Sequence, residues 1–161
     1  MNYREKAVRI GKTNPLLGIL TEPPAGTTPN GRGVVLLNAG LLHRVGPSRL
    51  HVQVARALAP LGYTVMRFDF SGIGDSEARR DGLAFEQSAV LEVQAAMDQL
   101  ASTRNIHDFA LMGLCSGADA AFLSAVADPR VSAVVQLDPW VYHTWKYALH
   151  RWARRLLDLR T

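Results

Sequence analysis

With 161 residues, 48% of them hydrophobic and 20% charged, the chain has the material for one apolar core, and neither intrinsic disorder nor a fibrous repeat suits that composition. Its apolar runs fall far short of the about 20 residues that cross a bilayer, and the opening M-N-Y-R-E-K-A-V-R-I does not read as a signal peptide. A single cysteine, Cys115, excludes an internal disulfide and fits a reducing compartment, so a cytoplasmic location is expected.

The net charge of +4 comes largely from the last stretch, where Lys146, Arg151, Arg154, Arg155 and Arg160 face only Asp158. One basic stretch is not a nucleic-acid footprint, so no nucleic-acid partner is expected.

Residues 5–10 and 16–20 are short apolar-rich stretches divided by G-K-T-N-P, which predicts an antiparallel strand pair at the start of a sheet. Residues 21–32, dense in Pro, Gly, Thr and Asn, read as an exposed loop. Residues 34–37 form a continuous apolar run, the pattern of a strand buried on both faces of a parallel sheet. Leu50, Val54, Ala57, Leu58 and Leu61 recur at helical spacing and define a first crossover helix that stops at Gly62. Residues 63–70 are the next strand, followed by the tight turn S-G-I-G-D-S. Phe85, Ala89, Val93, Ala96, Met97 and Leu100 then share one face of a second helix. Residues 109–112 give a short strand, 118–126 an Ala-rich helix and 131–137 another apolar strand. The alternation predicts an α/β fold, a mostly parallel sheet with helices on both faces and right-handed crossovers. Ligands on such sheets bind at the carboxyl ends of the strands.

At one such end stands G-L-C-S-G, residues 113–117, immediately before a helix. This is the small-x-nucleophile-x-small form of a nucleophile elbow, a strained strand-to-helix turn where side chains two residues either way would collide with backbone. Register favours Cys115 over Ser116, because only Cys115 has glycines at minus two and plus two. The following helix N-terminus favours negative charge at the sulfur, and the Ser116 N–H is placed to donate to an oxyanion. In isolation the same five residues also read as an ordinary turn with an inert thiol.

Two further segments agree with the elbow. N-A-G-L-L, residues 38–42, follows the first parallel strand, where Gly40 or Leu41 would supply the second oxyanion N–H. R-F-D-F-S-G-I-G-D-S, residues 67–76, contains D-x-x-G-x-G-x-S, matched by Asp69, Gly72, Gly74 and Ser76. Over residues 34–139 the chain thus resembles the α/β-hydrolase superfamily, in particular serine aminopeptidase-like and exosortase-associated hydrolases. The resemblance implies a structural role for the Asp69 loop and a Ser at the elbow. Cys115 departs from that and looks more like the dienelactone hydrolases.

In that superfamily the acid and the histidine follow the nucleophile, the histidine after the last strand. Only 23 residues follow Asp138, whereas two more strands with their crossovers need at least about 34. Trp145, Leu149, Trp152, Leu156 and Leu159 instead mark an amphipathic helix. The expectation is therefore a partial α/β-hydrolase core over 1–143, lacking the last strands, and a helical segment over 144–161 that begins a cap or an interaction surface. Asp138 is the acid placed at the catalytic edge, and it also suits a turn before Pro139. His143 and His150 are the downstream histidines, while His43, His51 and His107 break the family order, so no general base is assigned.

No cofactor is expected, for no Cys/His cluster has metal-ligand spacing and G-I-G-D-S lacks a dinucleotide fingerprint. The residues point to hydrolysis of an ester, thioester or amide in a small acyl substrate. The other reading is a non-catalytic hydrolase-fold chain that self-associates through an open sheet edge and the C-terminal helix, with membrane-surface contact not expected.

Overall fold

The computed structural model describes residues 3–11, 14–140 and 145. β1 (Arg4–Ile10) and β2 (Leu16–Glu22) form an antiparallel pair with Ile10 opposite Leu16. β2 continues antiparallel onto β4 (Thr64–Phe68), and β3 (Arg32–Leu37), β5 (Asp108–Leu114) and β6 (Val131–Leu137) complete a six-stranded sheet in the order β1-β2-β4-β3-β5-β6. The pairings β3–β4, β3–β5 and β5–β6 are parallel.

β3 and β4 are buried at almost every position, as their uninterrupted apolar character requires. Val34, Leu36 and Val65 turn to one face, under α1 (Leu50–Leu58), with Ala55 completing that cluster. Val35, Leu37, Met66, Phe68, Phe109 and Leu111 turn to the other, under α2 (Phe85–Arg104) and α3 (Ser116–Ala127). The hand of the crossovers explains the division. From β3 the chain steps one way to β4, and from β4 to β5 and on to β6 it steps the other way, so right-handed connections place α1 opposite α2 and α3. The reversal leaves a crevice between the carboxyl ends of β3 and β5, the position where open sheets bind ligands.

Two readings of the sequence need correction. The spacing of Leu50, Val54, Ala57, Leu58 and Leu61 put the apolar face of the first helix there, but Ala57 and Leu61 are exposed, Leu61 by 67%. The face against the sheet is His51, Val52 and Ala55, with Val54 and Leu58 at its flank. Ala55, and Ala59 just beyond the helix, are fully buried. The strand expected over 63–70 is shorter: Asp69 N–H still donates to the Leu17 carbonyl of β2, but the Asp69 carbonyl takes the Ser76 hydroxyl and the Leu17 N–H goes to Ser76 Oγ, so the ladder ends at Phe68. The helix expected over 144–161 lies outside the described residues except for Trp145.

A charged group ties the outer hairpin to the interior. Glu5 of β1 accepts hydrogen bonds from the Thr21 hydroxyl at 3.2 Å, Arg56 Nη2 of α1 at 2.7 Å and Arg67 Nη2 of β4 at 3.1 Å. Burial works against the Glu5 charge, yet the two guanidiniums hold its carboxyl below the ordinary range. At the opposite edge, Gln136 and Val134 of β6 face α3 and the core beneath it. Ala133, Val135 and Leu137 therefore face the α1 side, where all three are exposed. Among the described residues no helix is long and apolar enough to cross a membrane.

Candidate active site

β5 ends at Leu114 and α3 begins at Ser116, leaving Cys115 alone on the bend with φ 53° and ψ −123°. A positive φ at a non-glycine residue costs of order 1–3 kcal/mol and persists only where the surroundings fix it. They do so here. The Cys115 N–H donates to the Leu137 carbonyl at 2.9 Å, and the Cys115 carbonyl accepts the Ala118 N–H at 2.8 Å. Cys115 is left exposed.

The flanking glycines are obligatory by distance. A Cβ on Gly113 would lie 2.0 Å from the Gly117 carbonyl oxygen, and one on Gly117 would lie 2.3 Å from that of Asn38. Removing those side chains lets the start of α3 lie against the ends of β3 and β5, which brings the 38–42 loop to the elbow. Gly40 N–H donates to the Ser116 hydroxyl at 2.9 Å. Leu41 N–H has no hydrogen-bond partner among the described residues, and its side chain is 91% exposed.

The loop is held from below by Asp69, which is fully buried. Its carboxylate accepts the Asn38 side-chain amide at 3.3 Å, the Asp75 N–H at 3.1 Å, the Arg44 backbone N–H and the Arg44 guanidinium. Arg44 also reaches Asp75 at 2.6 Å. Burial opposes the Arg44 charge, but the two aspartates raise its pKa further above the ordinary value. The Asp69 carbonyl takes the Ser76 hydroxyl at 2.8 Å, and Ser76 Oγ in turn accepts the Leu17 N–H at 2.9 Å. Gly74, with φ 55°, must lack a Cβ because one would lie 2.4 Å from the Asp69 carboxylate. Asp69, Gly74 and Ser76 of D-x-x-G-x-G-x-S thus each have a mechanical task in fixing this turn and the loop beside it.

Asp138 follows Leu137, whose carbonyl receives the Cys115 N–H, so it enters the same edge, exposed and with φ 49°. Gly40 is thus bonded to Ser116, and Asp138 follows the residue that accepts the Cys115 N–H, so these residues and Leu41 stand at the carboxyl ends of β3, β5 and β6. The histidines are scattered. His43 is exposed on the 38–42 loop's continuation, His107 lies at the amino end of β5 beside Asn105, and His143 and His150 lie outside the described residues. His51 is fully buried under Gly46, whose missing Cβ would meet its ring at 2.8 Å. Sequence reasoning passed over this histidine, and only its place four residues before Ala55 marked it as facing the sheet. Among the described residues no group of three or more His, Cys, Asp or Glu is arranged to hold a metal.

Comparison with known proteins gives the family of the chain. The family profile of the serine aminopeptidases (S33) matches residues 29–161, most of the chain. The chain belongs to the serine aminopeptidase family of α/β-hydrolases. Solved structures agree on the fold of this family member. The Pyrococcus furiosus esterase Pf2001 superposes with a TM-score of 0.72 at 20% identity, over 87% of this chain and 51% of its own. The α/β-hydrolase GrgF from Penicillium sp. sh18 gives 0.72 at 20% identity, over 96% and 56%. The dienelactone hydrolase-like promiscuous phosphotriesterase P91, from metagenomic libraries, gives 0.67 at 19% identity, over 89% and 62%. The serine aminopeptidase-family chain thus spans between half and two-thirds of the length of the structures it matches. Among curated protein sequences none matches it.

Proposed function

We propose that the chain serves acyl transfer to water from an ester, thioester or amide, with Cys115 as the nucleophile. The observation that carries this reading is the exposed residue Cys115 on a positive-φ bend between two glycines, with the 38–42 loop bonded to its neighbour Ser116. In the proposed reaction Cys115 Sγ, having lost its proton, bonds to the acyl carbon, and the carbonyl electron pair moves onto oxygen. That oxyanion is held by the Ser116 N–H and by an amide of the loop. Gly40 N–H is engaged by Ser116, which favours Leu41 as the second donor. Collapse expels the alcohol, thiol or amine, which takes up a proton. Water then cleaves the thioester, releasing the acid and restoring the thiol. Asp138, on the same edge, is the proposed carboxylate of the site.

Incubation of the full chain with a p-nitrophenyl ester and, separately, with iodoacetamide tests the proposal. Turnover lost in Cys115→Ala, with labelling confined to Cys115, is expected. Absence of both turnover and labelling would rule it out. A lone exposed thiol of this kind suits a reducing, cytoplasmic setting.

A second reading is favoured by the β6 edge, a seven-residue strand with Val135 and Leu137 exposed on the uncovered face. There a second copy of the chain would pair edge to edge and bury both, making a non-catalytic association module. Sedimentation at micromolar concentration is expected to show a dimer that Val135→Lys dissociates, and a monomer at all concentrations would exclude it.

A further inference from the structure

Beyond the elbow, between the start of α2 and the first turns of α3, lies a cavity of about 350 Å³. Ser116, the residue next to Cys115, forms part of its wall, so the cavity opens beside the proposed reacting centre. That volume falls in the range of small-molecule pockets. Phe85, Ala120, Leu123 and Trp140 make the lining apolar, and Phe85 is held edge-on against Phe70 at 5.5 Å between ring centroids.

Two carboxylates interrupt that lining, and both are acids. Glu86 stands in the first turn of α2 and Asp119 in the first turn of α3. Asp119 Oδ1 accepts the Trp140 N–H at 3.1 Å, whereas Oδ2 has no hydrogen bond among the described residues. No arginine, lysine or histidine of the described chain lines the cavity. Aromatic faces and carboxylates both attract a cation and both repel an anion. An apolar hollow built this way discriminates by the charge at the end of what fills it.

We propose that this cavity receives the apolar group of the substrate, and that Glu86 and Asp119 make it prefer a group ending in an ammonium over its carboxylate isostere. The proposal deepens the acyl-transfer reading and rests on it for the word substrate, but binding in the cavity requires no turnover.

Calorimetry on the 161-residue Cys115→Ala chain with 4-phenylbutylamine, 4-phenylbutanol and 4-phenylbutanoate tests it without chemistry. The amine is expected to bind at least about tenfold more tightly than the carboxylate, with the alcohol between them. The E86Q/D119N double variant is expected to bind all three alike, and Leu123→Trp, which fills the cavity, to bind none. Equal binding of amine and carboxylate by the parent chain would overturn the proposal. So would a preference surviving in E86Q/D119N, or no binding of any of the three at millimolar concentration. Ester turnover and iodoacetamide labelling of the unmodified chain are scored separately: turnover without charge preference sinks only this proposal, and charge preference with neither turnover nor labelling sinks only the acyl-transfer reading.

Discussion

The Gly40 N–H donates to the hydroxyl of Ser116 at 2.9 Å, across the crevice between the ends of β3 and β5. The elbow and the loop opposite it are thus joined by the side chain that follows the proposed nucleophile. A hydrogen bond of this kind contributes about 0.5–1.5 kcal/mol.

Ser116→Ala is therefore expected to lower stability by that amount and to slow acylation of Cys115 by about tenfold, with Ser116→Thr restoring both. Stopped-flow measurement of p-nitrophenol release checks this. Faster acylation in Ser116→Ala would mean that the hydroxyl competes for an oxyanion donor, and would assign that donor to Gly40 instead of Leu41.

Asp69 offers a second test, since its buried carboxylate is shared by Asn38, Arg44 and Asp75. Removing one partner of a buried ion pair costs about 3–5 kcal/mol, so Asp69→Asn and Arg44→Ala are each expected to destabilise strongly in urea unfolding. The two are also expected to couple, the double variant losing much less than the sum of the singles. Additive losses would show that the pair does not act as one unit.

Glycine substitutions separate sterics from backbone strain. Gly113→Ala and Gly117→Ala place a Cβ within 2.0 and 2.3 Å of carbonyl oxygens and are expected to abolish folding or rebuild the elbow. Gly40→Ala meets nothing within 4 Å and is expected to cost only the strain of its positive φ, about 1–2 kcal/mol. Circular dichroism melts of the three variants rank them, and a Gly113→Ala chain as stable as Gly40→Ala would contradict the geometry.

His51 predicts a dependence on pH. Burial, and next the charge of Arg67, push its pKa below the ordinary value, and the Arg44 backbone pulls weakly the other way. The unfolded chain then binds more protons than the folded one below about pH 6.5. Stability is thus full above that pH and falls as the solution is acidified toward the depressed folded value. His51→Leu should flatten the change between pH 7.5 and 5.5 in denaturant midpoints, and an unaltered slope would acquit the imidazole.

The strands were legible because β3 and β4 carry almost unbroken apolar residues that only a doubly covered sheet can use, and the elbow was legible because two glycines two residues from Cys115 have one steric purpose. The face of α1 was not. Hydropathy pointed to Leu61, which is 67% exposed, while the sheet took His51, Val52 and Ala55. The grip of Asp69 on Arg44 was likewise hidden, because the residues lie 25 apart in the chain and meet only once β3 and β4 are neighbours.

Glu5 gives the outermost strand an unusual standing. Edge hairpins are commonly the first parts of a sheet to fray, but here peeling β1 away would strand the Arg67 guanidinium in the interior without its counter-ion. The amides of β1 are accordingly expected to exchange with solvent only when the central strands do, so that the periphery and the middle of the sheet open together.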